Sequence, residues 1–124
     1  MIRVLLADDH GLVRRMLRQL LEREGDIAVC GEAADGEAAV QMLGECTPDV
    51  AVLDLSMPGL NGLEAAQRIR ALRPDTKVLI VTIHDSERLV EAAFAAGAGG
   101  YLLKSEAPDH LLAAVRALAR DQTS

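Results

Sequence analysis

Five short apolar runs, each followed by a segment with helical spacing, leave this chain few folds to choose from. The runs are Ile2 to Ala7, Ile27 to Gly31, Val50 to Leu53, Val78 to Thr82 and Gly100 to Leu103. Several are near-continuous Val, Ile and Leu, as expected of parallel strands buried on both faces. Between and after them, apolar residues recur every three or four positions. Leu12, Val13, Met16, Leu17, Leu20 and Leu21 form one such stripe, and Ala38, Ala39, Met42 and Leu43 a second. Leu63, Ala66, Ile69 and Leu72 form a third, Leu89, Val90, Ala93, Phe94 and Ala96 a fourth, and Leu111, Leu112, Val115, Leu118 and Ala119 a fifth.

Punctuation agrees with this division. Asn61 with Glu64 three residues on has the pattern of a capping box. Asp85 stands where it can cap the fourth helix. Gly25 and Gly97 fall where helices must stop and turn. Pro48, Pro74 and Pro108 lie in connections or at a helix start, where a missing N–H does no harm. Gly97, Gly99 and Gly100 precede a strand and make a turn, not a dinucleotide loop. The alternation predicts an α/β fold: a doubly wound parallel sheet with right-handed crossovers and helices on both faces. Five strands and five helices fit the flavodoxin-like (βα)5 arrangement with strand order 2-1-3-4-5, whose switch point lies between the first and third strands.

Length and composition allow one domain, expected over residues 1–121, with 122–124 as a polar tail or the start of a linker. Hydrophobic residues make up 50% of the chain, yet it holds one Tyr, one Phe and no Trp, so the core must be Leu, Val, Ile and Ala. No apolar stretch approaches the roughly 20 residues of a membrane span. The start, Met1-Ile2-Arg3-Val4, enters a strand pattern directly and lacks a signal-peptide layout, which points to a cytoplasmic protein. The formal net charge is −6, which disfavours direct DNA binding by this chain. Arg14, Arg15, Arg18 and Arg23, interrupted by Glu22 and Glu24, read as a solvated or protein-docking helix face. The spacing of Cys30 and Cys46 matches neither a CxxC redox motif nor a zinc ligand pair, so two small separate thiols are expected.

Function concentrates where the runs end. Asp8 and Asp9 follow the first run, Asp54 the third, Thr82 closes the fourth and Lys104 follows the fifth. In a parallel α/β sheet, ligands bind at the carboxyl ends of the strands. Two unit charges about 5 Å apart repel by roughly 3 kcal/mol at an effective dielectric near 20. Three carboxylates together therefore ask for a cation, and all-oxygen donors favour a hard ion, Mg²⁺ or Mn²⁺. Asp54, so neutralised, is a candidate nucleophile on phosphorus. Thr82 and Lys104 are candidate donors to the phosphoryl oxygens.

At these residues the chain resembles the receiver domains of bacterial two-component response regulators. The motifs are Ala7-Asp8-Asp9-His10, Asp54-Leu55-Ser56-Met57-Pro58 with Asn61-Gly62, Thr82, and Gly100-Tyr101-Leu102-Leu103-Lys104. Gly31-Glu32-Ala33 and Thr82-Ile83-His84-Asp85 make it look most like the NarL/FixJ (LuxR-type) subfamily. The resemblance implies that Asp54 is the phosphoacceptor for a sensor histidine kinase. It implies that Asp9, Asp54 and the Ser56 backbone carbonyl ligate Mg²⁺, with Asp8 acting through bound water. Thr82 and Lys104 would bind the phosphoryl group. Thr82 and Tyr101 would form a switch that reshapes the surface of the fourth helix, fifth strand and last helix. Ser56 and His84 would modulate the lifetime of the acyl-phosphate. A C-terminal helix-turn-helix DNA-binding domain, absent from this sequence, and phosphorylation-dependent homodimerisation are implied partners in transcriptional control.

Ser105 departs from a common receiver pattern, in which a cis-proline follows the lysine. A non-proline cis bond costs about 2.5–4 kcal/mol, so a trans Lys104–Ser105 bond is expected. Two other readings stay open. A Mg²⁺-dependent phosphohydrolase working through an aspartyl-phosphate wants a second Asp two residues after the nucleophile, where Ser56 stands. A docking module that is never phosphorylated would not need all five groups. His10 and His84 near the pocket rim also raise a His/Asp metallohydrolase, against which stands the lack of an HExxH-type pair.

Overall fold

The computed structural model describes residues 1–120. Five parallel strands form one sheet in the order β2-β1-β3-β4-β5. They are β1 (Ile2–Ala7), β2 (Ile27–Ala33), β3 (Val50–Leu53), β4 (Lys77–Thr82) and β5 (Gly100–Leu103). The helices are α1 (Gly11–Glu22), α2 (Gly36–Gln41), α3 (Leu43–Cys46), α4 (Gly62–Leu72), α5 (Glu87–Ala95) and α6 (Ala107–Arg120), the last preceded by a 3₁₀ turn at Lys104–Glu106. The doubly wound (βα)5 plan with order 2-1-3-4-5 is therefore the observed one. Residues 121–124, where the domain end and polar tail are expected, lie outside the described residues.

Alternation along the strands splits the core in two. Leu5, Ala7, Ala51, Leu53, Val78 and Ile80 face α2, α3, α4 and α5. Val4, Leu6, Val50, Val52, Leu79 and Val81 face α1 and α6, meeting Leu17, Leu21, Leu111 and Val115. A fully buried Leu or Val side chain is worth about 1.5–3 kcal/mol relative to exposure, so these two layers supply most of the driving force. The helix stripes are narrower in the structure than in the sequence. Leu12, Met16, Leu72 and Phe94 are exposed, because a helix lying on a sheet buries only the residues on its inner line.

Local details depart from expectation in five places. β2 runs two residues further than predicted, to Ala33, and β4 begins one residue earlier, at Lys77. The second helical stripe breaks at Met42 into two short helices, and the second ends at Thr47 with φ 42°. Asp85 does not cap α5; Ser86 does, its side chain accepting the Leu89 N–H. Cys30 and Cys46 are not separate thiols. Their sulfurs are bonded, with Cα atoms 5.4 Å apart, since the return of α3 along β2 brings residues 16 apart in sequence side by side. The Asn61/Glu64 capping box is formed in both directions. All peptide bonds among the described residues are trans, Lys104–Ser105 included.

Candidate functional site

The strand ends deliver their polar groups to one place because the ladder continues one residue past the strands. The Asp8 N–H donates to the Ala33 carbonyl at 3.0 Å, and the Asp54 N–H to the Ala7 carbonyl at 2.9 Å. Both carboxylates are thus carried on backbone that the sheet itself holds. α4 closes one wall. The Gly62 N–H donates to the Leu55 carbonyl, and a Cβ on Gly62 would lie 2.4 Å from the Asp54 carbonyl oxygen, so glycine is needed for this approach. Leu55 and Met57 are buried and anchor the intervening loop in the core.

Asp8 and Asp54 are almost fully buried, with side chains 1% and 4% exposed, and the Lys104 ammonium sits between them. Nζ is 2.9 Å from Asp8 Oδ2 and 3.5 Å from Asp54 Oδ2. The first contact is an ion pair without hydrogen-bond geometry; Asp8 Oδ2 has no hydrogen-bond partner among the described residues. Asp8 Oδ1 accepts the His10 N–H at 2.9 Å. Burial, then the nearby negative charge of Asp8, pushes the Asp54 carboxyl above its ordinary value, while Lys104 and the Ser56 backbone N–H pull it the other way. One ammonium for two buried carboxylates leaves the pocket short of positive charge.

Asp9 is more open, and His10 lies at the rim with Nδ1 3.1 Å from Asp9 Oδ1. One ligand atom from each of Asp8, Asp9, His10 and Asp54 falls within 4.8 Å of the others. The Asp8 oxygen that has no hydrogen bond among the described residues and the oxygen-rich donor set fit a hard divalent cation. His10, with a side chain 69% exposed, stands on the outside of that set.

Thr82 is completely buried at the end of β4. Its Oγ1 accepts the His84 N–H at 3.2 Å, which leaves the hydroxyl proton free to be donated. His84 makes two further links. Its carbonyl accepts the Tyr101 hydroxyl at 2.7 Å, and its Nε2 lies 3.1 Å from Ser56 Oγ. Tyr101 is half-buried, and burial followed by the charge of Asp85 raises its pKa. The structure therefore gathers Asp8, Asp9, Asp54, Thr82 and Lys104 at the switch point, and links Ser56, His84 and Tyr101 along its edge.

One contributor was not marked by the sequence. Arg14, which reads there as part of a solvated helix face, donates from Nη1 to the Asp8 carbonyl at 2.7 Å and pairs with Glu32 through Nε. The only hint is that it lies one helical turn beyond the Asp-Asp-His run, which is too common a placement to stand out. Arg18 continues the same network to Glu22 and Glu32.

The model of the response regulator receiver domain matches residues 4–116. The chain belongs to that family. Over 121 residues it is 43% identical to the uncharacterized transcriptional regulatory protein YxjL of Bacillus subtilis, and over 122 residues 43% identical to the response regulator UvrY of Escherichia coli; each match covers 98% of this chain. It spans 56% of the length of each of these curated relatives. Among solved structures it is similar to the signal receiver domain of the response regulator NarL from Mycobacterium tuberculosis, with a TM-score of 0.92, 38% identity and 96% of both chains covered. The receiver also resembles a LuxR-family two-component response regulator from Aurantimonas, with a TM-score of 0.91, 41% identity, and 96% of this chain and 85% of that one covered. No helix among the described residues is long and apolar enough to cross a membrane.

Proposed function

We propose that this receiver, as a single domain over residues 1–121, takes a phosphoryl group onto Asp54 from a phosphohistidine of a sensor histidine kinase. The observation that carries the reading is the Lys104 ammonium set between two buried carboxylates, one of which keeps an oxygen with no hydrogen bond among the described residues. An Asp54 carboxylate oxygen bonds to phosphorus as the phosphorus–nitrogen bond breaks, and the imidazole leaves with the electron pair and takes up a proton. Lys104 and the free Thr82 hydroxyl proton serve the phosphoryl oxygens, positioned before the charge arrives. Asp9, Asp54 and the Ser56 carbonyl would hold Mg²⁺ or Mn²⁺, with Asp8 acting through water. Such an ion, when bound, supplies the charge neutralisation that lets an anionic carboxylate meet an anionic phosphoryl group.

Output follows from the same links. A phosphoryl group that draws the Thr82 hydroxyl inward competes with its bond to the His84 N–H. The Tyr101–His84 link then carries the shift to the surface of α5, β5 and α6. That surface, or the α1 and α6 faces, would serve a phosphorylation-dependent homodimer. A C-terminal DNA-binding domain beyond this sequence would turn the switch into transcriptional control in the cytoplasm. Ser56 and His84, side by side over the pocket, would adjust water access to the acyl-phosphate. With Ser56 bonded to His84 where a hydrolase would carry its acid/base Asp, repeated turnover of outside phosphomonoesters is not expected, and the receiver acts as a switch rather than an enzyme.

Intact-mass measurement after incubation with acetyl phosphate and Mg²⁺ tests the reading, run beside Asp54→Asn. One phosphoryl adduct on the parent and none on the variant is the expected result. No adduct on the folded parent would favour a docking-only module, and an adduct kept by the variant would place the acceptor elsewhere.

A further inference from the structure

The Cys30–Cys46 bond occupies an unusual place in the sheet. The pairing of β1 with β2 slips by one residue between Val4 and Leu5, so that Val4 faces Val29 while Leu5 faces Gly31. Cys30 is the extra residue, at a bulge on an edge strand. Cys46 is the last residue of α3, and its carbonyl is clamped by Arg3, which donates from Nε at 2.9 Å and Nη2 at 2.7 Å. The bond therefore ties the bulge to the segment that leads into β3.

The residues just after the bulge hold Asp8. Ala33 supplies the carbonyl that accepts the Asp8 N–H, and Glu32 pairs with Arg14, which holds the Asp8 carbonyl. Both groups reach Asp8 only in the register that the bulge sets, since without the extra residue every partner on β2 would shift by one position.

Both oxidation states have a place in this structure. Cys30 Sγ lies 3.4 Å from the Val4 carbonyl oxygen, a contact that becomes a hydrogen bond only when the sulfur carries a proton. Cys30 and Cys46 both line a surface recess with Gly31, Met42 and Glu45, the side from which a small thiol would approach. Cys30 is partly exposed, whereas Cys46 is only 4% exposed. In a reducing compartment, intramolecular disulfides are characteristically transient or redox-sensing.

We propose that Cys30 and Cys46 form a reversible dithiol–disulfide pair whose oxidised state fixes the β2 bulge and so strengthens cation binding at Asp8, Asp9 and Asp54. The cation half rests on the reading of the acidic cluster given above. Reduction uses a low-molecular-weight thiol. Its thiolate attacks Cys30 Sγ, the Cys30–Cys46 bond breaks and Cys46 leaves as a thiolate. A second thiolate attacks the sulfur joined to Cys30, releasing the small disulfide and the Cys30 thiolate, and both cysteines take up protons. Oxidation by a small disulfide is the reverse.

The test equilibrates the folded protein across ratios of reduced to oxidised glutathione, alkylates free thiols and counts them by intact mass. Mn²⁺ affinity is measured by calorimetry at both extremes, beside the double variant Cys30→Ser, Cys46→Ser. The expected outcome is two alkylated cysteines at the reducing end and none at the oxidising end, with Mn²⁺ bound about 5-fold more weakly when reduced. The double variant should match the reduced protein at every ratio. Two free thiols throughout, or a bond that opens only on unfolding, overturns the reversible pair. Interconversion with equal Mn²⁺ affinity overturns the coupling. No Mn²⁺ binding in either state overturns the cation reading and the coupling with it, while the thiol count still decides the pair.

Discussion

The two ends of the sheet treat charge in opposite ways. At the amino ends of the strands, Arg116, Arg3 and Asp49 are each answered. Arg116 is held by Asp26 through two hydrogen bonds, at 2.7 and 2.9 Å, and by Glu24 at 2.8 Å. Asp49 accepts the Arg3 N–H, Arg3 fills the Cys46 carbonyl, and the buried Thr76 hydroxyl donates to the Pro48 carbonyl. At the carboxyl ends, two buried carboxylates share one ammonium, and one of their oxygens has no hydrogen bond among the described residues. The first end spends its polar groups on holding the fold. The second holds two buried carboxylates against a single ammonium, at a cost to stability.

Four changes sharpen or break that contrast. The largest effect is expected from Lys104→Ala, which removes the sole ammonium in the pocket. Phosphorylation by acetyl phosphate should slow by about 100-fold while the fold survives, read by the rate of adduct formation. A rate close to that of the parent would mean that Lys104 merely balances charge. Next comes cation binding. Mg²⁺ at about 100 times its dissociation constant should stabilise the parent by about 2.7 kcal/mol in denaturant titrations, with reversal by chelator. Asp9→Asn should lose most of that gain.

A smaller effect concerns Asp54 and pH. Its folded-state pKa is raised above the ordinary 3.8, chiefly by burial and then by Asp8. The native state therefore keeps this proton more tightly than the unfolded chain does, and stability without cation falls as pH rises through the raised value. Asp54→Asn should remove that loss, so the variant is more stable than the parent at neutral pH. The advantage should vanish below the unfolded value, where both states are protonated. Urea unfolding across this pH range in the presence of chelator reads the difference; a gain that persists in acid would point to packing instead. The smallest effect is expected at the satisfied end. Arg116→Ala should lower Tm by a few degrees at most, because its partners are solvent-exposed, and should leave the phosphorylation rate untouched.

Much of this was legible in the residues because the signals were local. Val50 to Leu53 and Val78 to Val81 are buried strands by composition alone, and Asn61 with Glu64 carries its cap in its spacing. Asp8, Asp9, Asp54, Thr82 and Lys104 could be read together because each abuts a strand end, which converts sequence position into spatial position. What was missed depends on contacts between distant segments. Cys30 and Cys46 meet only because β2 carries a bulge and α3 doubles back along it, and neither event has a mark in the sequence. Arg14 looks like any helix-surface arginine until Asp8 turns its carbonyl toward it. Leu12 and Phe94 fit their helical stripes yet face outward, since periodicity gives a helix face but not how much of it the sheet will cover.

The three links of His84 have an uneven chemistry. Those to Thr82 and Tyr101 use its main chain, while only the link to Ser56 uses its ring. The connection between β4 and β5 would thus survive any residue at position 84 that keeps its backbone N–H, whereas the contact with Ser56 is wholly a property of that side chain. On the reading proposed above, an exchange at this residue would retune how long a signal lasts while leaving both main-chain links in place.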